Sequence, residues 1–274
     1  MATTFTSSVK PESGPDVLSG TPRAQMVDRW IYVFTAATFI FIVLVGFIPD
    51  SVMKIAMVKA GTRPPLPLIM HVHAVLMASF LLLLLTQTIL MATGRGALHR
   101  RLGLVAMVLA PALVIAGVVL AGTNYHAAWH AAQFGPPAMR AAMTARVPQL
   151  DNILLLQIRV GFLFSLFLAI GIWARKRDPG FHKRMIILAT AMPLPAAIDR
   201  MQWLPSTLPA SPLSTDLYVV LAMSPMIVWD LVRNRNVHRA YWVWLPIYVT
   251  ASAAVNVLWN TASWHATARQ IMGV

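Results

Sequence analysis

Seven apolar stretches separated by short polar turns organise this chain: Trp30–Ile48, Leu66–Thr93, Leu102–Gly122, Asn152–Ala174, Met185–Asp199, Leu217–Val232 and Tyr241–Asn260. Each approaches the roughly 20 residues that an α-helix needs to cross about 30 Å of hydrocarbon. The pattern predicts an all-α fold, a polytopic transmembrane helix bundle of about seven spans. The fifth stretch is the shortest and carries Pro193 and Pro195, which predicts a kinked or partial span. Residues 1–28, rich in Ser, Thr, Pro and Gly, read as a flexible cytoplasmic tail, with 29–274 as a single transmembrane domain. The stretch from Trp30 is too long for a signal-peptide core and lacks a small-residue cleavage site, so it stays as a helix.

Composition excludes the soluble alternatives. Of the 274 residues 58% are hydrophobic and 11% charged, where a soluble domain carries about 25% charged residues. With so few charges, most of the surface meets lipid rather than water. The net charge of +13 sits in turns beside apolar runs, the arrangement that sets membrane topology, and is not read as a nucleic-acid surface. No cysteine is present, so thiol ligands, disulfides and thioether haem attachment are excluded.

Lys and Arg in alternate turns give the expected orientation. Lys10, Arg23, Arg29, Arg95, Arg100, Arg101, Arg175, Lys176, Arg177, Lys183, Arg184, Arg233, Arg235 and Arg239 fall on one side; Lys54, Lys59, Arg63, Arg140, Arg146, Arg200 and Arg269 fall on the other. Cytoplasmic turns retain such residues, so an inner membrane with the amino terminus cytoplasmic and the carboxyl terminus periplasmic is expected. The segment Thr123–Asp151 is then the one long outer loop.

The chain also repeats itself. ArgGlyAlaLeuHisArgArgLeuGly (Arg95–Gly103) and AspProGlyPheHisLysArgMetIle (Asp178–Ile186) align at a constant offset, which makes His99 and His182 equivalent. The repeat predicts a duplicated helical hairpin, spans two and three followed by spans four and five. These form an expected core over about residues 66–200, with spans one, six and seven peripheral to it.

The segments His71–Ala74, Gln87, Gly94–Gly103 and Phe181–Met185 resemble a widespread, mostly uncharacterised group of bacterial multi-pass membrane proteins. That resemblance covers about residues 66–200 and implies a fold rather than a reaction. More distantly, the four-helix core is similar to the b-type di-haem cytochromes. Their pattern of facing His pairs is not met in spans four and five, which hold no mid-span His.

Ionisable groups in hydrocarbon cost on the order of 3 kcal/mol unless paired, so each is a functional candidate. An outer layer holds His71, His73, His126, His130, Asp151, Gln157, Arg159, Asp199 and Arg200; an inner layer holds Gln87, His99, Arg100, His182, Lys183 and Asp230. His71 and His73 are two residues apart and cannot face one point on a regular helix; His73 shares a stripe with Phe80 and Gln87 and is taken to point inward. His126 and His130, spaced i, i+4, present two rings on one face, as metal ligation requires. With His71, His73 and Asp151 they make up the expected metal set. Arg159, roughly 10 Å into span four, is expected to pair with Asp199, or to meet an anion or a quinone carbonyl.

The inner pair, His99 and His182, is expected to ligate haem b or another His-held metal, with His73, Gln87 and Arg159 completing the cofactor set. The competing reading makes the two basic turns anchors on lipid phosphates. Trp30, Trp173, Trp229, Trp242 and Trp244 read as interfacial belt residues. The scattered Met residues read as packing. No phosphate loop, serine-hydrolase elbow or His-Glu-x-x-His helix is present. The leading expectation is a membrane redox protein exchanging electrons with quinone. The alternatives are a small transporter or channel with a polar path near Arg159 and Asp199, and an accessory subunit bound to other membrane subunits.

Overall fold

A computed structural model describes residues 22–274, in nine helices and no strand among the described residues. They are α1 Pro22–Lys59, α2 Leu68–Ala92, α3 Gly96–Phe134, α4 Pro137–Ala174, α5 Pro179–Ala191, α6 Pro195–Ile198, α7 Leu213–Asn234, α8 Arg239–Leu258 and α9 Ala262–Met272. Six of these, α1 to α4, α7 and α8, are long and apolar enough to cross a membrane. Their outward residues are apolar too: Leu82, Val105, Val108, Ile115 and Val118 are all exposed. Such a continuous face belongs in lipid. The protein is a multi-pass, all-α membrane protein.

Three boundaries differ from the sequence expectation. Helix α1 starts at Pro22 rather than Trp30; proline suits a first helical position because its missing N–H has no partner there anyway. Residues 1–21 of the expected tail lie outside the described residues. The expected outer loop Thr123–Asp151 is not a loop. Helix α3 runs on to Phe134 and α4 begins at Pro137, with Gly135 and Pro136 the only break. Alanine is the strongest helix former and recurs through this segment, so helix persists where no hydrocarbon run demands it. At 39 and 38 residues these helices are about 58 Å long, well beyond the roughly 30 Å hydrocarbon thickness. Each is long enough to cross the hydrocarbon and continue past it, and α9 packs on the hairpin they form.

The third difference is the fifth span, which is broken. Helix α5 ends at Ala191, a tight turn through Met192–Leu194 follows, and α6 resumes for one turn. Pro193 and Pro195 remove two amide donors, and the chain closes the turn with short-range bonds such as Leu194 N to Ala191 O at 3.1 Å. This broken element sits at the centre of the bundle: Met185, Ile187, Leu188, Ala189 and Ala191 are fully buried. Helices α1, α4, α7 and α8 all pack on α5, while the α2–α3 hairpin lies against α1 and α4. Two glycines permit the closest approaches. A Cβ on Gly46 of α1 would stand 2.2 Å from the Ala197 carbonyl oxygen, and one on Gly171 of α4 would stand 3.1 Å from Met185 Cβ.

Candidate cofactor site

Each of the two repeated hairpins carries its histidine at the same place. His99 is the fourth residue of α3 and His182 the fourth of α5. In the second hairpin the ring turns back onto the backbone of the preceding helix. His182 Nδ1 lies 2.8 Å from the Gly171 carbonyl of α4, whereas His99 Nδ1 is buried with no hydrogen bond. Because a carbonyl only accepts, Nδ1 of His182 carries the hydrogen and Nε2 keeps its lone pair. A glycine at 171 lets α5 come this close, since a Cβ there would meet Ile186 and Met185.

Several polar atoms of the α2–α3 hairpin have no partner. His99 Nδ1, both side-chain ends of Gln87, and His73 Nδ1 are buried without a hydrogen bond. Gln87 and His73 both lie on α2 facing α3 glycines. A Cβ on Gly103 would meet Gln87 Nε2 at 3.7 Å, and one on Gly117 would meet His73 Cε1 at 3.5 Å. The two rungs stand about 21 Å apart along the hairpin. A buried polar group left unpaired costs about 1–3 kcal/mol, so four such atoms on one hairpin are a feature to be explained.

The outer candidates do not gather. His71 is exposed, as are His126 and His130 on the last part of α3, where His130 packs on Phe134 with ring centroids 5.0 Å apart. Asp151 is fully buried and already engaged: Tyr125 OH donates to Oδ1 at 2.6 Å, and His265 Nδ1 lies 2.9 Å from Oδ2. The Trp264 indole also donates to the Asp151 carbonyl at 2.9 Å, which docks α9. No group of three His, Cys, Asp or Glu placed to hold a metal occurs among the described residues.

Arg159 is buried, but its partner is not Asp199. Its Nη1 lies 2.7 Å from Asp216 Oδ1 and donates to Ser252 Oγ at 3.0 Å, and Tyr248 OH donates to the same Asp216 oxygen at 3.0 Å. Asp199, at the end of α6, is exposed instead. Helix α6 packs on α1 and α7, and it is α7 that supplies the counter-ion. A second buried pair lies toward the other end. Arg184 holds Asp230 in a fork, Nε and Nη2 each 2.6 Å from a carboxylate oxygen, and Tyr241 OH donates to Oδ2.

Asp216, Tyr241, Tyr248, Ser252 and His265 were not among the sequence candidates. A signal did exist for three of them: Asp216 lies two heptads before the candidate Asp230 on α7, and Tyr241 and Tyr248 are one heptad apart on α8, so each pair shares a helix face. Trp244, expected at the interface, lies between those tyrosines fully inside the bundle and stacks on Tyr248 at 4.9 Å. In the α4–α5 turn, burial would raise the Asp178 carboxyl, but the Phe181 amide and the Arg239 guanidinium hold it below its usual range.

Comparison with protein-family models, curated proteins and solved structures finds no match for this chain.

Proposed function

We propose that this integral membrane protein holds a His-ligated redox group, haem b or a metal ion, between its two repeated hairpins. His99 and His182 are the ligands and Gln87 is a polar neighbour. The observation that carries the reading is the state of the two imidazoles. His182 has Nδ1 anchored on the Gly171 carbonyl of the helix before it and keeps Nε2 as a lone pair, and His99 Nδ1 is buried with no hydrogen bond. An anchored second nitrogen is what orients a metal-binding imidazole and sets its tautomer. His99 Nδ1 and the Gln87 amide, buried and unpartnered, supply the polar contacts that such a group would complete.

A group in this position would take up or pass on one electron at a time, with quinone in the surrounding lipid as its partner. The excess of Lys and Arg around the His-bearing turns supports an orientation with this end in the cytoplasm. His73 and Arg159 stand at a different level from the pair, so the reading does not use them as ligands.

The test is the visible spectrum and metal content of the full chain, purified in mild detergent. Absorption bands that sharpen on reduction, or a stoichiometric metal, are expected, with loss in His99→Ala and His182→Ala at unchanged helix content. A folded, colourless, metal-free protein would defeat the reading.

A further inference from the structure

The end of the bundle that carries both repeated turns is short of negative charge. All three of its carboxylates among the described residues are taken. Asp28 accepts from the Trp229 indole at 2.9 Å and from Arg233 at 2.7 Å, Asp230 is held by Arg184, and Asp178 is bound by Arg239. Six of the cations that remain stand at the two repeated turns: Arg95, Arg100 and Arg101 at the α2–α3 turn and the start of α3, and Arg175, Lys176 and Arg177 in the α4–α5 turn. All are exposed, and none forms an ion pair among the described residues.

The depth of this cluster is marked independently. Trp173 ends α4 as an exposed indole, 66% accessible, with the Arg177 guanidinium 4.5 Å from its ring centroid. An exposed indole at a span end lies at the boundary between acyl chains and headgroups. The cations one turn beyond it therefore stand at the level of lipid phosphates. Arginine offers several donors in a plane matched to phosphate oxygens.

We propose that the two repeated turns form a binding site for the phosphates of anionic phospholipids, selective for phosphatidylglycerol over phosphatidylcholine. The choline headgroup brings a cation that cancels the attraction, whereas phosphatidylglycerol leaves its phosphate charge unbalanced. A cation at a lipid surface contributes about 1 kcal/mol, or about fivefold in association, so two or three engaged side chains give a large preference. The inference stands apart from the redox reading, because it needs no bound group.

The experiment uses the full chain in phosphatidylcholine bilayers, with tryptophan fluorescence quenched by brominated phosphatidylglycerol or brominated phosphatidylcholine. The wild type is expected to prefer the anionic lipid at least fivefold. The preference should fall below twofold in Arg100→Gln/Arg101→Gln/Arg175→Gln/Lys176→Gln and persist in Arg100→Lys/Arg101→Lys. Should the fourfold variant fail to reconstitute, salt titration of the wild type decides, because about 1 M salt shrinks the screening length to about 3 Å and must collapse a phosphate preference. Equal quenching by the two lipids, a preference unchanged by the substitutions, or one insensitive to salt would overturn the proposal. Displacement of the brominated lipid by millimolar inorganic phosphate would also overturn it, by assigning the site to a free anion.

Discussion

Replacing Asp230 by alanine strands Arg184 inside the bundle. In the native arrangement the carboxylate receives two guanidinium N–H groups at 2.6 Å and the Tyr241 hydroxyl. The pair is sealed from solvent, with side-chain accessibilities of 8% and 6%. Removing one partner of a buried pair costs about 3–5 kcal/mol, because the remaining charge keeps its burial penalty and loses its compensation. Arg184 would retain only its bond to the Gly180 carbonyl, 2.9 Å from Nη1. The folding constant of Asp230→Ala should therefore fall by two to three and a half orders of magnitude, about 3–5 kcal/mol. The double variant Arg184→Met/Asp230→Leu, which removes both charges while keeping volume, should recover most of the loss. Reversible unfolding in mixed micelles, followed by far-ultraviolet circular dichroism, measures both. A loss under about 1 kcal/mol in the single variant, as at an exposed pair, or a double variant as unstable as the single one, would refute the account.

Three further expectations concern packing, capping and the α3–α4 hairpin. Gly46→Ala should destabilise by about 1–3 kcal/mol, since its Cβ would stand 2.2 Å from the Ala197 carbonyl. Gly161→Ala, with nothing within 4 Å of the new Cβ, should be neutral or stabilising by up to about 1 kcal/mol; thermal melts of the two variants in detergent make the contrast. Asp178 accepts the Phe181 amide at 2.8 Å as the cap of α5, so Asp178→Ala should cost about 1 kcal/mol. Because its folded-state carboxyl titrates below 3.8, the contribution is present above that pH and is lost as pH falls below it. A wild-type advantage over Asp178→Ala that persisted well below this range would contradict the assignment. Tyr125→Phe removes a 2.6 Å bond to the buried Asp151 and should cost about 1.5–3 kcal/mol, read as faster amide exchange in α9, which Asp151 also holds through Trp264.

The membrane character of this chain was legible without any structure. Long apolar runs and scarce charge oblige a helical bundle, because a backbone in lipid must satisfy its own hydrogen bonds. The repeated His-bearing turns were legible as well, since equivalent residues at one offset take equivalent places in two hairpins, and His99 and His182 do so. The inward choice of His73 over His71 also followed from helix periodicity alone.

What the sequence left open is what depends on which helices become neighbours. Arg159 needed a counter-ion, but Asp216 and Asp199 were both available along the chain; the approach of α7 decided between them. Alanine-rich Thr123–Asp151 carried no apolar run to mark it, so its continuation as helix came from propensity and from the docking of α9, a contact between segments more than 100 residues apart. Local pattern reports how a segment meets its own solvent. The partner of a buried charge is chosen by packing between distant segments, and that choice exists only once the bundle has closed.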